Sequence, residues 1–146
     1  MNSMKLILIA VVMVVLFCVC RLAGASDRVA KLSMRSDPFA GKWSVKIEPD
    51  EDARRAGAKP FDDTLIFDSG KFASEACKKH GFKETEYEED TRRFGPATFK
   101  AEPASENEGK AKWIGTLTAD QISGEMTWTK KDGSVVHYLY KGEKKR

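Results

Sequence analysis

What this chain lacks bounds it before anything it contains. It has three cysteines, and two of them, Cys18 and Cys20, sit in an apolar run near the N-terminus. Once that run is removed only Cys77 remains. A mature monomer would then hold no disulfide and must stand on its hydrophobic core. There is also no excess of one charge sign. The whole chain carries 25 Lys+Arg against 22 Asp+Glu; without Lys5 and Arg21 of the leader the balance is 23 against 22. The pI near 8.7 therefore belongs partly to the leader. A mature charge near zero gives no electrostatic case for nucleic acid or an anionic surface. The basic tail, residues 141–146, reads as a solvated end.

Reaction chemistry is just as sparse. There is no phosphate-binding loop. Cys77-Lys78-Lys79-His80 offers two ligands where a metal site needs three or four. The second histidine, His137, is expected on an outer face. Cys77 with either histidine would be a nucleophile and base only if a third group oriented them, and nothing in the sequence brings such groups together. Cys77 reads as a small half-buried hydrophobe and His80 as a turn residue. Glu84, Glu86, Glu88, Glu89 and Asp90 crowd one region. Their flanking residues are Lys, Thr and Arg, so they read as a solvated face balanced by Arg92 and Arg93, not as acid–base machinery. The expectation is a non-enzymatic protein without metal or cofactor.

What the chain does have begins with a leader. Lys5 is followed by an unbroken apolar run over residues 6–20, then by Ala23-Gly24-Ala25, a small-x-small cleavage site. A helix of about fifteen residues rises only about 22 Å, short of the roughly 30 Å hydrocarbon core. Residues 1–25 thus read as a signal peptide, with Ser26 as the mature N-terminus and a secreted or periplasmic location. With the leader cleaved, nothing is expected to hold the protein in a membrane. The alternatives are an uncleaved anchor, or a lipidated Cys18 or Cys20. Phe17 and Val19 are larger than the residue lipoprotein processing wants before the cysteine.

Residues 26–37 are polar and without a sustained period, and read as a flexible N-terminal arm. The domain follows over residues 38–146. Its period is two. Trp43, Val45 and Ile47 alternate with Lys42, Ser44, Lys46 and Glu48, so the first set faces in. Residues 52–59 read as a short helix or a solvated loop. Further strands are expected over residues 64–67, 71–77 and 82–88, and around Ala97, Phe99 and Ala101. Asp68-Ser69-Gly70 and Lys79-His80-Gly81 are turns, residues 89–93 a charged connection and residues 105–110 a loop. At Asp68-Ser69-Gly70 hairpin arithmetic leaves open whether Leu65 and Phe67, or Ile66 and Phe72, face inward.

The last three strands carry the clearest pattern. Ala111, Trp113, Gly115 and Leu117 alternate inward, as do Ile122, Gly124, Met126 and Trp128. A two-residue turn at Asp120-Gln121 would set Trp113 opposite Trp128, Gly115 opposite Met126 and Leu117 opposite Gly124. A three-residue hairpin at Lys131-Asp132-Gly133 would set Val136 opposite Trp128 and Tyr138 opposite Met126. Val136, Tyr138 and Tyr140 would then face in and His137 out. The count is eight strands in meander order. No segment is long enough for a parallel crossover helix, which argues against an α/β fold. A two-sheet sandwich is the alternative, but its long connections are missing. The expected fold is all-β, an eight-stranded antiparallel up-and-down barrel, which also removes exposed edges.

Phe39-Ala40-Gly41-Lys42-Trp43 resembles the Gly-x-Trp signature that opens lipocalins and related calycin barrels. The resemblance implies that Trp43 packs across a closed end. It also implies a basic residue from the last strand covering that ring, for which Lys141 is the candidate. More loosely, Ala40-Gly41-Lys42-Trp43 behind a free arm is similar to exported bacterial barrels that inhibit metalloproteases, whose usual disulfide has no counterpart here. That likeness implies a protein partner met through the arm.

Trp43, Trp113, Trp128, Tyr138 and Tyr140 form the inward aromatic set. They are the candidate wall for a small apolar or aromatic ligand; otherwise they simply fill the barrel, leaving a structural envelope protein. An eight-stranded barrel is wide enough for either.

Overall fold

The structure, a computed structural model, describes residues 36–146. The expected signal peptide and residues 26–35 of the arm lie outside the described residues. Alternation of large apolar and polar side chains builds the wall. β1 spans Gly41–Pro49, β2 Phe61–Asp68, β3 Lys71–Ser74, β4 Thr85–Asp90 and β5 Ala97–Ala101. A two-residue β6, Ala104–Ser105, precedes β7 Gly109–Thr118, β8 Gln121–Thr129 and β9 Val135–Lys144. Each of β1 to β4 pairs antiparallel with the strand after it, β7 pairs with β8 and β8 with β9, β9 returns to β1, and β5 pairs with β7. Eight strands therefore close on themselves in meander order, with β6 a short addition on β7. This is a calycin-type barrel, and both sheet edges are consumed by closure.

Two hairpins settle the inward faces. Asp68 pairs with Lys71, leaving Ser69 and Gly70 as a two-residue loop with φ of 52° and 77°. Two left-handed residues in succession match a type I′ turn, whose twist suits the strands. Leu65, Phe67 and Phe72 then share the inner face and Ile66 points outward. At Lys131–Gly133 the expected three-residue loop is present, with Gly133 at φ 86°. Trp128 faces Val136 and Met126 faces Tyr138, as the sequence arithmetic requires.

The β7–β8 register differs from expectation by two residues. Thr118 pairs with Gln121, so the loop is Ala119-Asp120, and Ala119 takes a left-handed φ of 54°. Trp113 lies opposite Met126, Ala111 opposite Trp128, Leu117 opposite Ile122 and Gly115 opposite Gly124. Trp113 and Trp128 are thus not directly opposed. The side-chain period is two, so an even slip leaves every residue on its expected face and changes only its partner. The large-against-small fit is made differently. Two glycines face each other, and Tyr140 of β9 lies across both, its hydroxyl donating to the Ile114 carbonyl at 3.0 Å.

Two short helices interrupt the strands. α1, Glu51–Arg55, starts at Asp50, whose carboxylate accepts the Ala53 amide at 2.7 Å. α2, Glu75–Lys79, stands where the third strand was expected to run on to Cys77. Ser74 caps it, accepting the Cys77 amide at 3.0 Å. Glu75 sits in its first turn and Lys78 and Lys79 in its last, the charge order a helix dipole favours. β4 accordingly begins later than expected, at Thr85, and includes Glu89 and Asp90. The acidic side chains around it are exposed and meet Lys71 and Arg92 at 3.2 and 3.0 Å, in pairs that water screens.

The pole at the start of β1 is packed shut. Phe39 and Trp43 are fully buried there, and the Trp43 indole N–H donates to the Phe39 carbonyl at 2.7 Å. Asp37 accepts from the Phe39 amide and the Tyr87 hydroxyl. The cation over Trp43 is Lys144, with its ammonium 5.4 Å from the ring centroid, and not Lys141. Lys144 shares the inward parity of Tyr138 and Tyr140 and pairs with Trp43, whereas Lys141 faces outward between Lys46 and Ser123.

Candidate functional site

Phe39, Leu65, Phe67, Phe72, Phe99, Trp113, Ile122 and Tyr140 fill the half of the barrel next to the closed pole. Ring contacts such as Phe67–Phe99, 4.8 Å apart and nearly perpendicular, leave little void there. The half beneath α2 is different. It holds a cavity of about 420 Å³, lined by Phe61, Asp62, Ala76, Cys77, His80, Phe82, Ala111, Met126, Trp128 and Tyr138. Asp62 and His80 are exposed at the rim, so the mouth faces solvent.

The strand period delivers part of this wall. Phe61 of β2, Ala111 of β7, Met126 and Trp128 of β8 and Tyr138 of β9 all point inward at the same level. Phe61 and Tyr138 meet edge to face at 5.8 Å. Trp128 is fixed by its indole N–H donating to the Glu108 carbonyl at 2.8 Å, and Lys130 lies over its ring at 5.0 Å from the centroid. α2 supplies the remainder. Cys77 and His80, three residues apart on a helical turn, lie on one side of it and both reach the cavity.

A buried carboxylate holds α2 in place. Asp63 faces inward from β2 and accepts the Thr64 amide at 2.7 Å, the Ala76 amide at 2.9 Å and the Ser74 hydroxyl. Burial nevertheless raises its pKa, and Glu75 adds to the rise, while the three hydrogen bonds pull it down. Cys77 is pushed up to about 11, first by burial, with the Ser74 bond opposing and the Asp63 charge adding. Its sulfur is a thiol at neutral pH, a weak nucleophile and a weak ligand. No group of three or more His, Cys, Asp or Glu able to hold a metal is present among the described residues.

Of the five aromatic residues named from sequence, Trp128 and Tyr138 line this cavity. Trp43, Trp113 and Tyr140 are packed into the filled half. Sequence reasoning missed Phe61, Phe82, Ala76, Cys77 and His80 as wall residues. The cap-and-charge pattern Ser74-Glu75 followed by Lys78-Lys79 carried the signal for α2. No such signal placed Phe61 or Phe82. A larger hollow, about 640 Å³, runs along the outer wall between β1 and β9. Lys46, Glu48, Lys141 and Glu143 line it with both charge signs, and more of its lining is polar than in the cavity under α2.

The chain matches no family model, no curated protein and no solved structure. No helix among the described residues is long and apolar enough to cross a membrane. The cavity and its wall therefore carry the functional argument.

Proposed function

We propose that this protein is an exported, non-enzymatic, lipocalin-like barrel that binds a small apolar or aromatic molecule in the cavity under α2. The observation that carries this reading is the 420 Å³ hollow with an aromatic and sulfur-bearing wall inside a rigid barrel. Ligand sites commonly measure about 300–1,000 Å³, and the lower end of that range suits a compact ligand. A wall fixed by strands and by the Trp128–Glu108 bond loses little freedom when a ligand enters. The high pKa of Cys77 supports a binding role over a thiol reaction. Export rests on the leader and its Ala23-Gly24-Ala25 site, and N-terminal sequencing of the exported protein should begin at Ser26. Recovery of an intact leader would overturn that part.

The binding test is mass spectrometry of protein taken from its native compartment, with Trp fluorescence titration against lipids, tetrapyrroles and small aromatics. Ala76→Phe puts a ring into the mouth without touching the Ala76 amide that Asp63 accepts. A co-purifying species that quenches fluorescence and is lost in that variant supports the reading. Protein that carries nothing, with fluorescence unmoved by the panel, sinks it.

A further inference from the structure

The tyrosine on the cavity wall has no protein partner for its hydroxyl. Tyr138 is only 8 % exposed and lines the cavity, yet its hydroxyl has no hydrogen-bond partner among the described residues. Of the other buried or half-buried aromatic donors, four are engaged and the Trp113 indole N–H is not. Tyr87 donates to Asp37, Tyr140 to the Ile114 carbonyl, Trp43 to the Phe39 carbonyl and Trp128 to the Glu108 carbonyl. The oxygen still reaches solvent, since the fully buried side-chain polar atom without a partner among the described residues is the Trp113 indole nitrogen, so a ligand that displaces water from Tyr138 must replace that hydrogen bond.

The charge around the cavity points the same way. No lysine or arginine lines it. Asp62 stands on the rim, and the Asp63 carboxylate is bonded to the amide of Ala76, itself a wall residue beside Cys77. Lys130 is drawn to the Trp128 face and is not part of the wall. A ligand carboxylate would give up its hydration here, meet two acids and find no guanidinium or ammonium. His80 is the one basic group on the wall, and it lies at the solvent-facing rim.

We infer that the cavity selects neutral apolar ligands carrying one hydrogen-bond acceptor, which the Tyr138 hydroxyl receives, and that it rejects carboxylates of the same size. This rests on the reading of the cavity as a binding site. The same wall holds Cys77 in its uncharged thiol form, with Asp63 contributing, which is the behaviour of a lining that disfavours added negative charge.

Three two-ring probes separate the possibilities: naphthalene, 2-acetylnaphthalene and 2-naphthoate. Equilibrium dialysis is run against the full chain and against Tyr138→Phe. The ketone is expected to bind several-fold tighter than naphthalene and at least tenfold tighter than the carboxylate. Tyr138→Phe keeps the ring and removes the hydroxyl, so it should abolish the advantage of the ketone over naphthalene. Naphthoate binding as tightly as the ketone overturns the inference while the cavity stands as a binding site. So does an unchanged ketone-to-naphthalene ratio in the variant. Retention of none of the three overturns the binding reading itself. If the variant does not fold, the ketone-to-naphthoate ratio of the unaltered protein decides the ligand class.

Discussion

The Tyr140 hydroxyl reaches over the facing pair Gly115 and Gly124 to donate to the Ile114 carbonyl at 3.0 Å. A Cβ at Gly115 would overlap that hydroxyl and the Phe99 ring, both buried. Gly115→Ala is expected to cost about 1–3 kcal/mol in denaturant melts, the usual range for overpacking. Tyr140→Phe removes only the oxygen and should cost about 0.5–1.5 kcal/mol. Combining the two should cost less than their sum, because the second change relieves part of the first clash. Strict additivity would show that the hydroxyl does not occupy the glycine gap.

Asp63 ties the stability of the domain to pH in a direction opposite to most carboxylates. Its folded-state pKa is raised, so the folded protein holds that proton more tightly than the unfolded chain does. The associated stability is fully present below the ordinary carboxylate value and is lost as pH rises through the folded value. Asp63→Asn lacks this response. Urea midpoints of the unaltered protein and the variant should therefore diverge as pH falls from 7 to 4, with the unaltered protein gaining on the variant. A constant difference across that range would contradict the assignment.

Cys77 should react slowly. A pKa near 11 in place of the ordinary 9.0 lowers the thiolate fraction at pH 7.5 on the order of 10²-fold. Iodoacetamide labelling of the folded protein is expected to lag the urea-unfolded chain by at least that factor. A ligand in the cavity should slow it further, since the thiol is part of the wall. Equal rates for folded and unfolded protein would place Cys77 outside the barrel.

Lys144 and Lys141 are three residues apart and should behave differently. Lys144→Ala removes the ammonium over Trp43 and should cost about 0.5–1 kcal/mol, with a shift in Trp emission. Lys141→Ala on the outer wall should leave both unchanged. The reverse result would return the role to Lys141.

Most of the barrel was legible because a period of two is hard to disguise. Trp43, Val45 and Ile47, or Val136, Tyr138 and Tyr140, declare their face whatever their partners are. Register was less legible. It turned on whether Ala119 or Gln121 belongs to the β7–β8 loop, and an alanine at a left-handed φ of 54° is not what turn chemistry favours. α2 was obscured because Phe72 and Ser74 continue a strand-like alternation into it, and five helical residues are too few to show an apolar stripe. The cavity was least legible of all. Its wall depends on how α2 spans the gap between β3 and β4, which is tertiary packing and not local pattern.

Both ends of the described chain converge on the packed pole. Phe39 and Gly41 enter there, and the Lys145 amide returns to the Lys42 carbonyl at 2.8 Å. The cavity lies near the far end of β1, where Ile47 pairs with Phe61 and Pro49 with Tyr138. From Gly41 to Ile47 is about 20 Å of strand at roughly 3.3 Å per residue. The molecule thus has a handle and a mouth at opposite poles. A purification tag, a fluorophore or a sensor surface attached at the C-terminus, next to Lys145, would grip the handle and leave the mouth open to solution.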